Sequence, residues 1–168
     1  MFQNKTIMAL SAAGLLFVSA AHADGEDAGY QHTSDPAEMK VTLTIEASCT
    51  INVSEMPFGT VTVDKYQDAT AQATANVTCT KGTPYSLQPQ EDKARTMKRN
   101  GGNETIAYTL YTDESNSNDF KTTKGHDIEA TGTGKEDPHI IYGKADPATL
   151  ADAPVGTYED TAILVVKY

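Results

Sequence analysis

Thr161-Ala162-Ile163-Leu164-Val165-Val166-Lys167-Tyr168 is the stretch that decides the fold of this 168-residue chain. Nearly every place is β-branched, apolar or aromatic, which reads as strand. Side chains alternate across a strand, so Ala162, Leu164, Val166 and Tyr168 share one face. Terminal segments usually fray as polar tail. Here the most strand-like text comes last, with no later segment to pair against it. An open apolar edge invites association unless something covers it. The expectation is an acceptor groove bordered by these four side chains, filled by an earlier segment or by a strand of another molecule.

The rest of the chain supports an all-β reading. Val41, Leu43, Ile45 and Ala47 alternate with Thr42, Thr44, Glu46 and Ser48, the period of a half-buried strand. Further strands are expected at Phe58–Val63, Ala69–Thr80, Tyr85–Leu87, Arg95–Met97, Ile106–Tyr111 and His139–Gly143, then Tyr158–Tyr168. Asp113–Gly134 and Asp146–Gly156 read as loops, rich in Ser, Asn, Gly, Pro and Ala. No segment after the N-terminus sustains a 3.6-residue period. Short strands with frequent turns predict a β-sandwich, with a core of Val, Ile, Leu, Ala and Tyr because Trp is absent. Val41 to Ala47 has two readings: the first strand of its own sandwich, or a donor strand for a groove in another molecule.

The beginning sets the compartment. Lys5, an apolar run from Ile7 to Ala21 and the Ala21-His22-Ala23 site have the form of a secretory signal peptide over residues 1–23. The mature chain then starts near Asp24 and holds about 145 residues, one domain's worth. Residues 24–40 read as a flexible acidic leader, and 41–168 as the domain. No mature segment is long and apolar enough for a membrane span.

All 23 acidic residues but only 12 of the 13 basic ones follow the signal, a net charge near −11. That balance argues against nucleic acid and against an anionic membrane surface, both of which need a basic footprint. Cys49 and Cys79, an isolated pair in an exported chain, are expected to form a disulfide. A zinc site needs more ligands, and a catalytic thiol needs a histidine neighbour. Closing this loop stabilises by about 3.5 kcal/mol on the chain-entropy view. His126-Asp127 and Asp137-x-His139 match no metal spacing and read as solvated loop. The acidic doublets at Glu91-Asp92, Asp113-Glu114 and Glu136-Asp137 lack a cleft to hold them as a catalytic pair. Asn52, Asn76 and Asn103 head glycan-acceptor triplets, read as chance. No enzyme, cofactor or metal signature emerges.

Several blocks, taken in order, carry a resemblance: Cys49-Thr50-Ile51, Pro57-Phe58-Gly59-Thr60, Ala75 to Leu87, Arg95-Thr96-Met97, Ile106 to Asp113, Ile141-Tyr142-Gly143 and Gly156 to Tyr168. Together they resemble the spore coat protein U family, secreted pilus subunits of the archaic chaperone–usher type. The resemblance implies an incomplete immunoglobulin-like sandwich lacking its last strand, with a Cys49–Cys79 disulfide. It implies a periplasmic chaperone that lends a strand. It also implies an outer-membrane usher, where a neighbouring subunit's N-terminal segment replaces that strand in a head-to-tail polymer. Pili of this type support surface adhesion and biofilm. In the family the donor lies close to the mature N-terminus. Here Asp24 to Lys40 precede the alternation, and Val41, Leu43, Ile45 and Ala47 are the expected donor, since only they can fill apolar sockets. Two other functions remain open: a glycan-binding adhesin module, and a self-complemented secreted coat or matrix protein.

Overall fold

The computed structural model describes residues 32–168. The expected signal peptide and residues 24–31 lie outside the described residues. The chain divides into two units, Met1–Thr42 and Leu43–Tyr168. In the first, residues 32–42 carry no helix or strand and are all exposed.

The second unit is a sandwich of antiparallel strands. Its elements are β1 (Cys49–Val53), a 3-10 helix (Val63–Asp68), β2 (Thr70–Cys79), β3 (Pro84–Pro89), β4 (Arg95–Arg99), β5 (Thr105–Tyr111), β6 (Ile128–Thr131), β7 (Glu136–Ala145), α1 (Pro147–Ala151), β8 (Tyr158–Glu159) and β9 (Leu164–Lys167). One sheet runs β1-β2-β7-β5-β4-β8 and the other β6-β3-β9. In β2 the alternation of buried Ala73, Ala75, Val77 and Cys79 with outward Thr74, Asn76 and Thr78 turns one face inward. The core joins Val77, Leu110 and Ile141 of the large sheet to Tyr85 and Leu87 of the small one. Cys49 and Cys79 are disulfide-bonded cross-strand neighbours on β1 and β2. At the start of β8 the Tyr158 hydroxyl donates to the Pro154 carbonyl at 2.7 Å.

Several expected elements differ. Residues 41–47 form no strand and are exposed throughout, so the period-2 pattern is not that of a strand paired in the described residues. Phe58–Val63 is not a strand either, because Phe58 and Val61 are spent on core contacts and the chain turns into the 3-10 helix. The loop expected at Asp113–Gly134 contains β6, where Ile128 and Ala130 reach the core. The Pro/Ala loop holds α1, which Asp146 caps by accepting from the Ala148 N–H at 3.0 Å, with Pro147 in the first turn. Tyr158–Tyr168 is broken into β8 and β9. The strand-like text around Cys49 and Thr50 proves to be the start of β1, which continues to Val53 with polar Thr50 and Asn52 facing outward.

Leu87 is fully buried and Val63 is 78% exposed. Leu87→Ala should therefore lower unfolding free energy by about 2–5 kcal/mol, whereas Val63→Ala should move it by less than about 0.5 kcal/mol. Urea unfolding followed by circular dichroism measures both.

Candidate strand-acceptor groove

The site lies where two stretches of chain leave their sheets. β8 pairs with β4 through Lys98↔Glu159 and Arg99↔Tyr158, in the large sheet. β9 pairs with β3 from Pro89↔Leu164 to Ser86↔Lys167, in the small one. Between them, residues 160–163 cross from one layer to the other. There, among the described residues, the Ile163 carbonyl accepts from the Gln90 N–H at 2.9 Å. On the facing side β1 follows β2 as far as Val53↔Ala75, and the Ser54 N–H closes the ladder on the Thr74 carbonyl. Beyond it, residues 56–61 make no backbone–backbone hydrogen bond among the described residues. Met56, Phe58 and Val61 hold this strap by side-chain packing.

A cavity of about 670 Å³ opens between residues 53–59 and residues 158–164. Its floor is the inner face of the large sheet: Ala73, Met97, Tyr108, Leu110 and Ile141. These side chains would face an opposing strand in a closed sandwich. The expectation that so small a sandwich offers no cleft is corrected. The cleft exists because the chain changes sheets at residues 160–163.

Two interactions shape the walls. The buried Tyr108 hydroxyl donates to Asp160 Oδ2 at 2.6 Å, tying floor to wall. Burial first, then the Asp160 hydrogen bond and charge, push the Tyr108 phenol up to about 12. Phe58 meets Tyr108 edge to face, with centroids 6.1 Å apart. Glu55, Glu159 and Asp160 line the cavity, and no basic residue does.

Of the expected groove residues, Ala162 and Leu164 line the cavity. Val166 packs beside it against the core. Tyr168 is 63% exposed and borders a separate surface hollow with Pro84 and Lys167. Among the proposed donor residues, Val41 is 80%, Leu43 87% and Ile45 75% exposed, and Ala47 is exposed as well. The strap and floor side chains were not anticipated as site residues. Tyr108 and Leu110 were visible as one face of a strand, but the layer they face was not.

Asp137 and His139 are not loop residues. They lie on β7, where the Tyr85 hydroxyl donates to Asp137 Oδ2 at 2.7 Å and stands 2.7 Å from His139 Nε2. Burial, reinforced by Asp137, raises the Tyr85 pKa. His126 stays in a loop, its Nδ1 3.1 Å from the Asp119 carbonyl. Among the described residues no group of three or more His, Cys, Asp or Glu is placed to hold a metal ion. Asn52 and Asn76 are cross-strand partners on β1 and β2.

The spore coat protein U domain matches residues 35–165. The chain belongs to that family. No curated protein matches it. Among solved structures it is similar to a chain in the crystal structure of the CsuC–CsuE chaperone–tip adhesion subunit pre-assembly complex, from archaic chaperone–usher Csu pili of Acinetobacter baumannii. The TM-score is 0.53 at 21% identity, over 74% of this chain and 40% of that one. The shared property is the fold, an all-β immunoglobulin-like sandwich.

The raised Tyr108 pKa has a pH signature. A phenol whose pKa is higher folded than unfolded contributes stability that is complete below the unfolded value of 10 and is lost as pH rises towards about 12. Tyr108→Phe should flatten part of that alkaline loss while costing about 1 kcal/mol at neutral pH from the missing hydrogen bond. Denaturation at pH 7 and at stepped alkaline pH, compared with the unsubstituted protein, checks both.

Proposed function

We propose that this protein is a structural subunit of a chaperone–usher pilus and polymerises by donor-strand exchange. The single observation that carries the reading is the cavity between residues 53–59 and 158–164, which has an apolar floor and acidic residues on its walls. It lies against Ala73, Tyr108, Leu110 and Ile141 on the inner face of the large sheet, between the strap and the segment that changes sheets. Family membership supports the same reading. The matched Csu complex is, by its description, a chaperone with a tip adhesion subunit. By analogy, a periplasmic chaperone fills the groove of this subunit after export, and an outer-membrane usher exchanges it for the next subunit. The assembled fibre then stands at the cell surface and serves adhesion and biofilm formation.

The mechanism is β-augmentation. Main-chain hydrogen bonds hold the incoming strand, and alternate side chains set its register in the sockets. Val41, Leu43, Ile45 and Ala47 of one copy supply those side chains, and their exposure leaves them free to do so. Burying each large apolar side chain contributes about 1.5–3 kcal/mol before ordering costs. Donor and groove are different surfaces of one chain, so contacts run head to tail and propagate as a fibre.

The test is Leu43→Asp with Ile45→Asp in the mature chain. Both positions are exposed, so circular dichroism and thermal melting should be unchanged. Fibres seen by electron microscopy should disappear. Undiminished polymer would refute the donor assignment.

A further inference from the structure

Gly143 occupies the inner face of β7 between Ile141 and Ala145, and it is buried as they are. Its backbone is not left-handed, unlike that of Gly59, Gly82, Gly101, Gly125 and Gly134. Conformation therefore does not require glycine at this position. Space does: a Cβ at Gly143 would stand 2.5 Å from Met56 Sδ and 3.1 Å from Phe58 Cζ. Both side chains rest in the notch that the missing Cβ leaves. Both also line the cavity as part of the strap wall. The strap has no backbone ladder at residues 56–61 among the described residues, so how deeply these two side chains seat decides where that wall stands.

The geometry points to Gly143 and Met56 as the pair that sets the side-chain size the groove admits. The occupant is residues 41–47 of a second copy. This inference rests on the donor-strand reading above and adds the determinant of its specificity. The occupant fits the wall. Its largest side chains are Leu43 and Ile45, with no aromatic residue from 41 to 47. Those side chains are exposed in their own chain, and the groove floor is apolar. Filling the notch drives the Met56 thioether out of its seat, and a flexible methionine yields more readily than the sheet backbone. The displaced side chain has the cavity as its nearest free volume, so the groove narrows. Shortening Met56 has the opposite effect and makes room for a larger donor.

The experiment uses the full mature chain carrying Leu43→Asp and Ile45→Asp as acceptor, so that it cannot donate to itself. A fluorescent peptide of residues 39–48 is the probe, read by anisotropy. Gly143→Ala should weaken peptide binding about tenfold or more, the scale of an overpacked core position. Met56→Ala in the Gly143→Ala background should restore it, which general loss of fold would not do. Met56→Ala alone should accept a peptide bearing Leu43→Phe or Ile45→Phe, whichever faces the strap, that the unmodified groove rejects. Equal binding by the Gly143→Ala chain, or an unchanged size preference in the Met56→Ala chain, overturns the inference and leaves the donor-strand reading standing. No binding of the unmodified peptide to the unmodified groove overturns that reading itself. The Met56→Ala arm introduces no clash and decides the matter even where Gly143→Ala fails to fold.

Discussion

The structure depends on a change of partner. After Lys98↔Glu159 the chain gives up β4, crosses the sandwich at residues 160–163 and takes up β3 at Pro89↔Leu164. A strand cannot belong to both layers along the same length. The large sheet therefore has an inner face at Ala73, Leu110 and Ile141 with nothing from residues 158–164 laid flat across it. The Tyr108–Asp160 hydrogen bond marks the crossing point, and the Tyr158–Pro154 bond fixes the corner that leads to it. The Ala73, Leu110 and Ile141 side chains are nearly buried, so the cavity beside them is space floored by core-type residues that an apolar segment can fill, and the proposed partners would meet the chain there.

Covering it from within would need another strand, and the strap does not serve as one. Residues 56–61 lie along the seam without a backbone ladder, so Met56, Phe58 and Val61 shield part of the floor while leaving edge hydrogen bonds unmade among the described residues. A partner strand offers what the strap lacks, main-chain donors and acceptors together with side chains at period 2. The same division explains why the disulfide sits where it does. Cys49–Cys79 joins β1 to β2 at the end of β1 opposite Val53, where the ladder stops, and so holds the edge strand without obstructing the cavity.

Much of this was legible because alternation is a local signal. β2 is written in the sequence as strict period 2, β5 and β9 as short runs rich in apolar and aromatic residues, and the paired cysteines needed only their context. The cavity was not legible, since it is a relation between layers. Nothing in Tyr158 to Tyr168 shows that the first residues pair in one sheet and the last in the other. Phe58–Val63 misled for a related reason: its apolar residues are real core contacts, but they are delivered by a strap whose backbone pairs with nothing described. β6 was hidden in polar text because only Ile128 and Ala130 of its four residues carry the pattern. The alternation of residues 41–47 has no counterpart as a strand in the described residues, and sequence could not separate its two readings because a strand of the chain's own sheet and a strand lent to another molecule share one period.

An exposed apolar alternation and an open groove on one chain would ordinarily mean indiscriminate aggregation. Three features oppose it. The edge strands are short, β1 at five residues, β6 and β9 at four and β8 at two, and β9 ends on Lys167. The chain carries a net charge of −10, and Glu55, Glu159 and Asp160 put part of it on the groove itself, so non-specific approach between copies is repulsive. Finally, the outward partners of Val41, Leu43, Ile45 and Ala47 are Thr42, Thr44 and Glu46. In the proposed donor-strand contact, a one-residue slip would turn Thr and Glu toward the apolar groove floor, exchanging apolar contacts for unpaired polar groups. Register in that proposed contact would therefore be set by chemistry on both sides, and the surface that favours association would also restrict it to one alignment.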